Sequence, residues 1–319
     1  MAALFLAVFI MFTAFPVQAE EEKDGVKSST DLEFLVSSRP EMRLGLSQSF
    51  MFPFLQGTGP WTKDNNITAI LTAQLSPISI TGIGEVRWTP AAFLQLSGGG
   101  ELGSGWNMAM GDGIGIFAPE DENPPGPGDP PRRAKIYGSA FDGLQWSTWG
   151  AATLQFDLGA VIPGDWTHVF FQVRQGFRYS AYTRAGSGES WVYLNDDRDN
   201  QNGWKYQAAY ILGYHMPKSP VLDTIAFTAV LDKSLYNSPG GDKWGDGLGK
   251  WTFSGLFNFS INSRLSSTLA IQLRTRYNYD TTNFENYDYY YRDFELSSNG
   301  GQRRLVFYRA VVILNYKIR

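Results

Sequence analysis

The chain has 319 residues, 43% hydrophobic and 15% aromatic, with a formal net charge of −4 and no cysteine. That balance excludes the basic footprint of a nucleic-acid binder, and the missing cysteines exclude disulfide frameworks, zinc–thiolate sites and cysteine nucleophiles. Beyond the N-terminus there is no run of roughly 20 apolar residues, so helical membrane spans are excluded as well.

Residues 1–19 have the form of a secretion signal. The apolar stretch Ala2–Pro16 leads into Val17-Gln18-Ala19, which sets small residues at the cleavage positions, and Glu20-Glu21-Glu22-Lys23-Asp24 then turns abruptly charged. No Lys or Arg precedes the apolar stretch, and no cysteine at the cut offers a lipid anchor. Residues 20–40 read as a polar periplasmic lead-in in which only Leu32–Val36 is apolar.

From residue 41 onward the pattern has period two. Val169, Phe171, Val173, Phe177 and Tyr179 alternate with His168, Gln172, Arg174, Arg178 and Ser180. Phe253, Gly255, Phe257, Phe259 and Ile261 alternate with a row that is polar except for Leu256. Soluble sandwiches also alternate. Here, however, Trp88, Trp166, Trp204, Trp251, Tyr214 and Tyr316 stand near strand ends, where a membrane-interface girdle puts aromatic residues.

The spacing predicts strands near 41–53, 66–88, 91–104, 135–161, 167–183, 204–216, 221–235, 250–262, 266–280 and 303–319. Short connections at 88–90, 163–165, 217–220 and 262–265 interleave with long ones at 54–65, 105–134, 184–203, 237–249 and 281–302. This is the meander of an all-β, transmembrane, up-and-down antiparallel β-barrel with short periplasmic turns and long outer loops. The count is about ten strands, or twelve if the long spans 66–88 (with Pro77) and 135–161 are hairpins. In the last strand, Val306, Tyr308, Ala310, Val312, Leu314, Tyr316 and Ile318 make one expected outward row.

Residues 41–319 resemble bacterial outer-membrane β-barrels in general. Trp88-Thr89-Pro90-Ala91-Ala92-Phe93 and Gly103-Ser104-Gly105-Trp106-Asn107 resemble segments of uncharacterised spirochaetal barrel proteins. The resemblance implies export to the cell outer membrane, contact with its lipid and with barrel-assembly machinery, and no defined activity. Barrels of this class commonly end on Phe, whereas this chain ends on Arg319.

The expected lumen-lining residues are Arg43, Glu85, Arg87, Asp157, His168, Gln172 and Arg174, followed by Arg178, Lys205, His215, Gln272, Arg274, Arg276 and Arg309. Basic members outnumber acidic ones, and an inward ring of arginines favours anionic solutes. The competing expectation is a charge network that fills a narrow lumen, since eight strands leave space only for side chains or one small ligand and sixteen leave an aqueous channel. His168 and His215 are expected on neighbouring strands near the periplasmic ends, away from the mouth where a barrel protease works and without the lipid-facing His–Ser pair of a barrel phospholipase. No enzyme, cofactor or metal site is therefore expected. Asn195–Asn200 carries oxygen ligands at alternate positions but lacks the glycine and the glutamate of a calcium loop. Tyr287–Tyr291 is a loop aromatic patch able to stack on a ligand, and Pro124–Pro131 is a stiff segment within the longest loop. The expected function is a narrow outer-membrane channel for small polar or anionic solutes. The alternative is a closed barrel whose loops serve adhesion, ligand binding or a structural role.

Overall fold

The computed structural model describes residues 25–39, 41–109, 111–119, 134–162, 164, 168–194, 200–216, 219–236, 249–277 and 303–318. Among the described residues the period-two pattern becomes fifteen strands: β1 (Lys27–Ser37), β2 (Glu41–Pro53), β3 (Asn66–Ser76), β4 (Ser79–Ala91), β5 (Leu94–Gly105), β6 (Ile114–Pro119), β7 (Ala134–Tyr137), β8 (Gln145–Asp157), β9 (Val169–Tyr182), β10 (Ser190–Tyr193), β11 (Gly203–His215), β12 (Leu222–Ser234), β13 (Lys250–Ser260), β14 (Leu265–Tyr277) and β15 (Arg303–Lys317). Twelve of them close into one antiparallel barrel, in the order β1-β2-β3-β4-β5-β8-β9-β11-β12-β13-β14-β15. The seam is the pairing of β1 with β15, from Asp31 opposite Lys317 to Ser37 opposite Val311. Strands β6, β7 and β10 form a separate sheet in the order β10-β6-β7.

The barrel begins earlier than the sequence implied. Lys27–Ser37, expected to be lead-in, is its first strand. Asp31 and Glu33 made that segment look solvated, but they belong to the inner row, while Leu32, Phe34 and Val36 pair with the outward Leu46, Leu44 and Met42. The 66–88 span is a hairpin, folded at Pro77 with Ser76 opposite Ser79. The 135–161 span is not. Its barrel part is Gln145–Asp157, whereas Ala134–Tyr137 belongs to the small sheet. Twelve strands therefore come from one hairpin and one overlooked strand.

The residue order sorts the connections between two ends. Both barrel termini, Lys27 and Lys317, lie at one end, together with the 54–65, 92–93, 158–168, 216–221 and 261–264 connections. The 54–65 connection is thus on the side of the short turns, because β1 and the extra hairpin shift the alternation. The opposite, loop end carries the tight turns after Ser37 and Ser76 and the long excursions after β5, β9, β12 and β14.

Outward rows are apolar and uncovered. Leu71 is 62% exposed, Leu212 57%, Phe227 52% and Phe307 61%. At about 25 cal/mol per Å² of apolar surface, such a belt is untenable in water and is stable against lipid. Aromatic pairs flank it. Phe54–Trp88 and Trp61–Phe93 lie toward the terminal end, and Trp146–Tyr179–Trp204 toward the loop end. In β15 a bulge opposite Gln272/Leu273 resets the register. Ala310 to Ile318 keep the expected outward row, but beyond the bulge Phe307 and Leu305 face out and Tyr308 turns inward.

Candidate functional site in the barrel lumen

The inner wall is built in layers, because each step of two residues along a strand moves one level along the barrel. On β15 the inner row reads Arg309, Val311, Ile313, Asn315 and Lys317 toward the terminal end. A charged layer, an apolar collar and a polar vestibule follow one another.

The charged layer consists mainly of ion pairs. Arg43 bonds Glu33 at 3.4 Å and Gln74 at 3.2 Å. Arg87 pairs with Glu85 two residues back on the same face. Arg178 reaches across the lumen wall from β9 to Glu101 on β5 at 2.6 Å and lies over the Trp149 ring, 5.1 Å from its centroid. Arg309 pairs with Glu41 and donates to Gln272 at 2.8 Å, and Gln272 donates to Ser254 at 3.3 Å. The inward Tyr308 ring is approached by the guanidinium carbons of Arg39, Arg274 and Arg309 at 4.9, 4.7 and 5.3 Å. Each pair combines low exposure with a charge-assisted hydrogen bond, the arrangement that lets buried charges persist.

The expected excess of arginine is therefore mostly neutralised. Glu33, Glu41 and Glu101 do this, and all three were absent from the expected lumen set. Glu33 was lost with β1. Glu41 and Glu101 share the strand parity of Arg43 and Gln95, so the alternation itself marked them. Gln172 and Arg174 occupy the inner row of β9 and are buried. Lys205 donates to Asn200 at 2.9 Å, and Gln207 to Asp232 at 2.8 Å. Arg276 stands opposite Arg304 in the register; its side chain lies outside the described residues.

The collar contradicts a lumen that is polar throughout. Leu35, Phe170, Ile211, Ala226, Leu256, Ala270, Val311 and Ile313 form one buried apolar cluster on inner rows of β1, β9 and β11–β15. It is continuous in register: Val311 faces Ala270, Ala270 faces Leu256, Leu256 faces Ala226, and Ala226 faces Gly213. Gly213 faces Phe170. A Cβ at Gly213 would run into the Phe170 ring, so glycine there is what admits Phe170 to the collar. Leu256, the one break in its polar row, was the visible sign of this cluster.

In the vestibule the two histidines are neighbours, as expected. The His215 N–H donates to the His168 carbonyl at 2.9 Å. The His215 ring stacks on Phe170 at 4.7 Å, and its Nδ1 lies 3.0 Å from the Thr224 hydroxyl. Asp157 holds the turn that follows β8 by accepting from the Gly159 N–H at 2.8 Å. Among the described residues no cluster of three His, Cys, Asp or Glu is placed to hold a metal ion.

At the loop end the small sheet enters the lumen. Ile114, Tyr182, Trp191 and Tyr193 form its core. Asn107 Oδ1 accepts from the backbone of Gly113 and Ile114, and Asn202 Oδ1 accepts from the backbone N–H of Tyr182 and from Trp191 Nε1. The Tyr193 hydroxyl lies 2.5 Å from that of Thr81 on the barrel wall. Burial first, and then the Glu101 carboxylate, push its phenol above its ordinary pKa. Segments 124–131, 195–199 and 281–302, with the stiff proline run, most of the calcium-like loop and the tyrosine patch, lie outside the described residues.

No protein-family model matches the chain, and no curated protein matches it. Solved structures similar to it include the NanC porin, at 7% identity and TM-score 0.42 over 91% of this chain and 100% of the other. The KdgM porin is similar at 8% identity and TM-score 0.39, over 91% and 99%. The translocator domain of autotransporter NalP from Neisseria meningitidis is similar at 10% identity and TM-score 0.40, over 99% and 98%. These are likenesses of fold alone, and nothing among them supports the spirochaetal resemblance of the 88–93 and 103–107 segments. The described strands themselves close into an all-β antiparallel twelve-strand barrel with an apolar outer belt.

Proposed function

We propose that this barrel is a narrow outer-membrane channel for small polar or anionic solutes. The observation that supports it is the inner wall of a twelve-strand barrel, charged and hydrogen-bonding at Arg43 and Arg178 on one side of the apolar collar and at Asp157 and Lys317 on the other, set inside an apolar exterior. A barrel of this size lies between those filled by side chains and those enclosing a wide aqueous channel. The collar and the inserted sheet make the path tight, so the conductance is small. Hydrophobic constrictions of this kind gate by dewetting. Folded protein in planar bilayers gives discrete single-channel steps with a preference for anions over cations. A complete absence of current from folded, inserted protein refutes the proposal.

A further inference from the structure

We infer that Arg174 is an anion-binding residue of the lumen, forming a subsite for a small carboxylate or similar oxyanion. The inference rests on the channel proposal for its setting and adds to it the place and the chemistry at which the solute is held. Arg43, Arg87, Arg178 and Arg309 each have a carboxylate partner. Arg174 is only 5% exposed, yet it has no hydrogen-bond or ion-pair partner among the described residues. Its cross-strand neighbours are Thr153 on β8 and Ala209 on β11, and neither carries charge.

The charges that act on Arg174 are Glu85, Arg87 and Arg178. Glu85 is already bound to Arg87, and Arg178 to Glu101. Among the described residues these carboxylates are bonded to the other arginines, so the charge of Arg174 is left without a carboxylate of its own. A guanidinium presents five N–H donors in a planar fork and accepts nothing. Burying it unpaired is strongly unfavourable. One negative charge spread over two coplanar oxygens answers both deficits, since it engages the fork bidentately and cancels the excess. Gln172, the next inner-row side chain of β9 toward the terminal end, is buried as well.

The test uses the folded barrel in detergent, titrated calorimetrically with sodium acetate and sodium sulfate, beside bilayer recordings of the same preparations. Wild type binds acetate saturably. Arg174→Gln weakens binding by about tenfold or more, the loss expected for a charge-assisted pair. Lys63→Gln, on the exposed 54–65 connection, leaves binding unchanged. Heat-modifiable mobility on gels confirms folding. If Arg174→Gln does not fold, Arg174→Lys keeps the charge and loses the fork, and it binds acetate more weakly with less preference over chloride. Absence of acetate binding in wild type, or binding unchanged in the folded variants, overturns the inference. Acetate binding through Arg174 without any bilayer current retains the subsite and removes the channel. Current that is indifferent to Arg174→Gln, without acetate binding, retains the channel and removes the subsite.

Discussion

The hydroxyl of Tyr193, on a strand outside the barrel wall, meets the hydroxyl of Thr81, on the wall, at 2.5 Å. Opposite Thr81 in the register stands Gly103, where any Cβ would collide with the tyrosine hydroxyl. One inserted residue thus ties the small sheet to β4 and uses a glycine on β5 as its seat.

Tyr193→Phe removes that tie at a cost of about 1 kcal/mol, and Gly103→Ala pushes the tyrosine off its seat. Both variants are expected to raise the mean single-channel current and speed proteolysis of the 106–144 excursion, with the barrel still folded. The phenol is shifted upward, so the hydrogen bond persists below the ordinary tyrosine pKa of about 10 and weakens only as pH rises beyond it. Recordings between about pH 6 and 9 should show no titration of the effect.

Leu256→Ala opens the collar. The lost packing costs about 2–5 kcal/mol if the site does not collapse, read as a lower unfolding midpoint in urea. Leu256→Asn wets the same position, and its conductance should exceed that of wild type. Identical currents in both variants would show that the collar does not limit passage.

Glu101→Gln leaves Arg178 buried beside Trp149 without its carboxylate. Breaking one side of a buried pair costs about 3–5 kcal/mol. The double change Glu101→Gln with Arg178→Gln should recover most of that loss. In bilayers Glu101→Gln alone should shift the reversal potential further toward anion preference, because it adds one uncancelled positive charge.

Leu71→Arg places a charge on the lipid face at a site that is 62% exposed. Near the bilayer midplane such a change costs about 2–4 kcal/mol. The inward neighbour Thr72→Arg should instead leave membrane insertion intact and alter conductance. The contrast checks which face meets lipid, by refolding yield into vesicles.

The wall was legible in the sequence because period-two alternation survives wherever one face meets lipid. The rows through Phe253–Ile261 and Val169–Tyr179 already named their faces. What misled was charge taken as a sign of solvent. Asp31 and Glu33 sit in a membrane strand because a lumen tolerates what a lipid face does not. Parity also failed at Tyr308, since a bulge adds one residue and sends the following row to the other side. The partners of the arginines were harder to find: the ion pairs join β1 to β2, β5 to β9 and β2 to β15, and only the closed register brings those positions together. The inserted sheet left no comparable mark, because β7 and β10 have four residues each and pair across long separations.

The seam has a consequence for how the barrel is made. Seven register pairs join β1 to β15, against thirteen between β14 and β15. Until those seven form, the wall is a curled ribbon with two raw edges, each able to pair with another chain. Strand β15 closes onto β1, so a ribbon trimmed past Ser37 has nothing to close on. It should accumulate as edge-paired aggregates rather than as a smaller barrel.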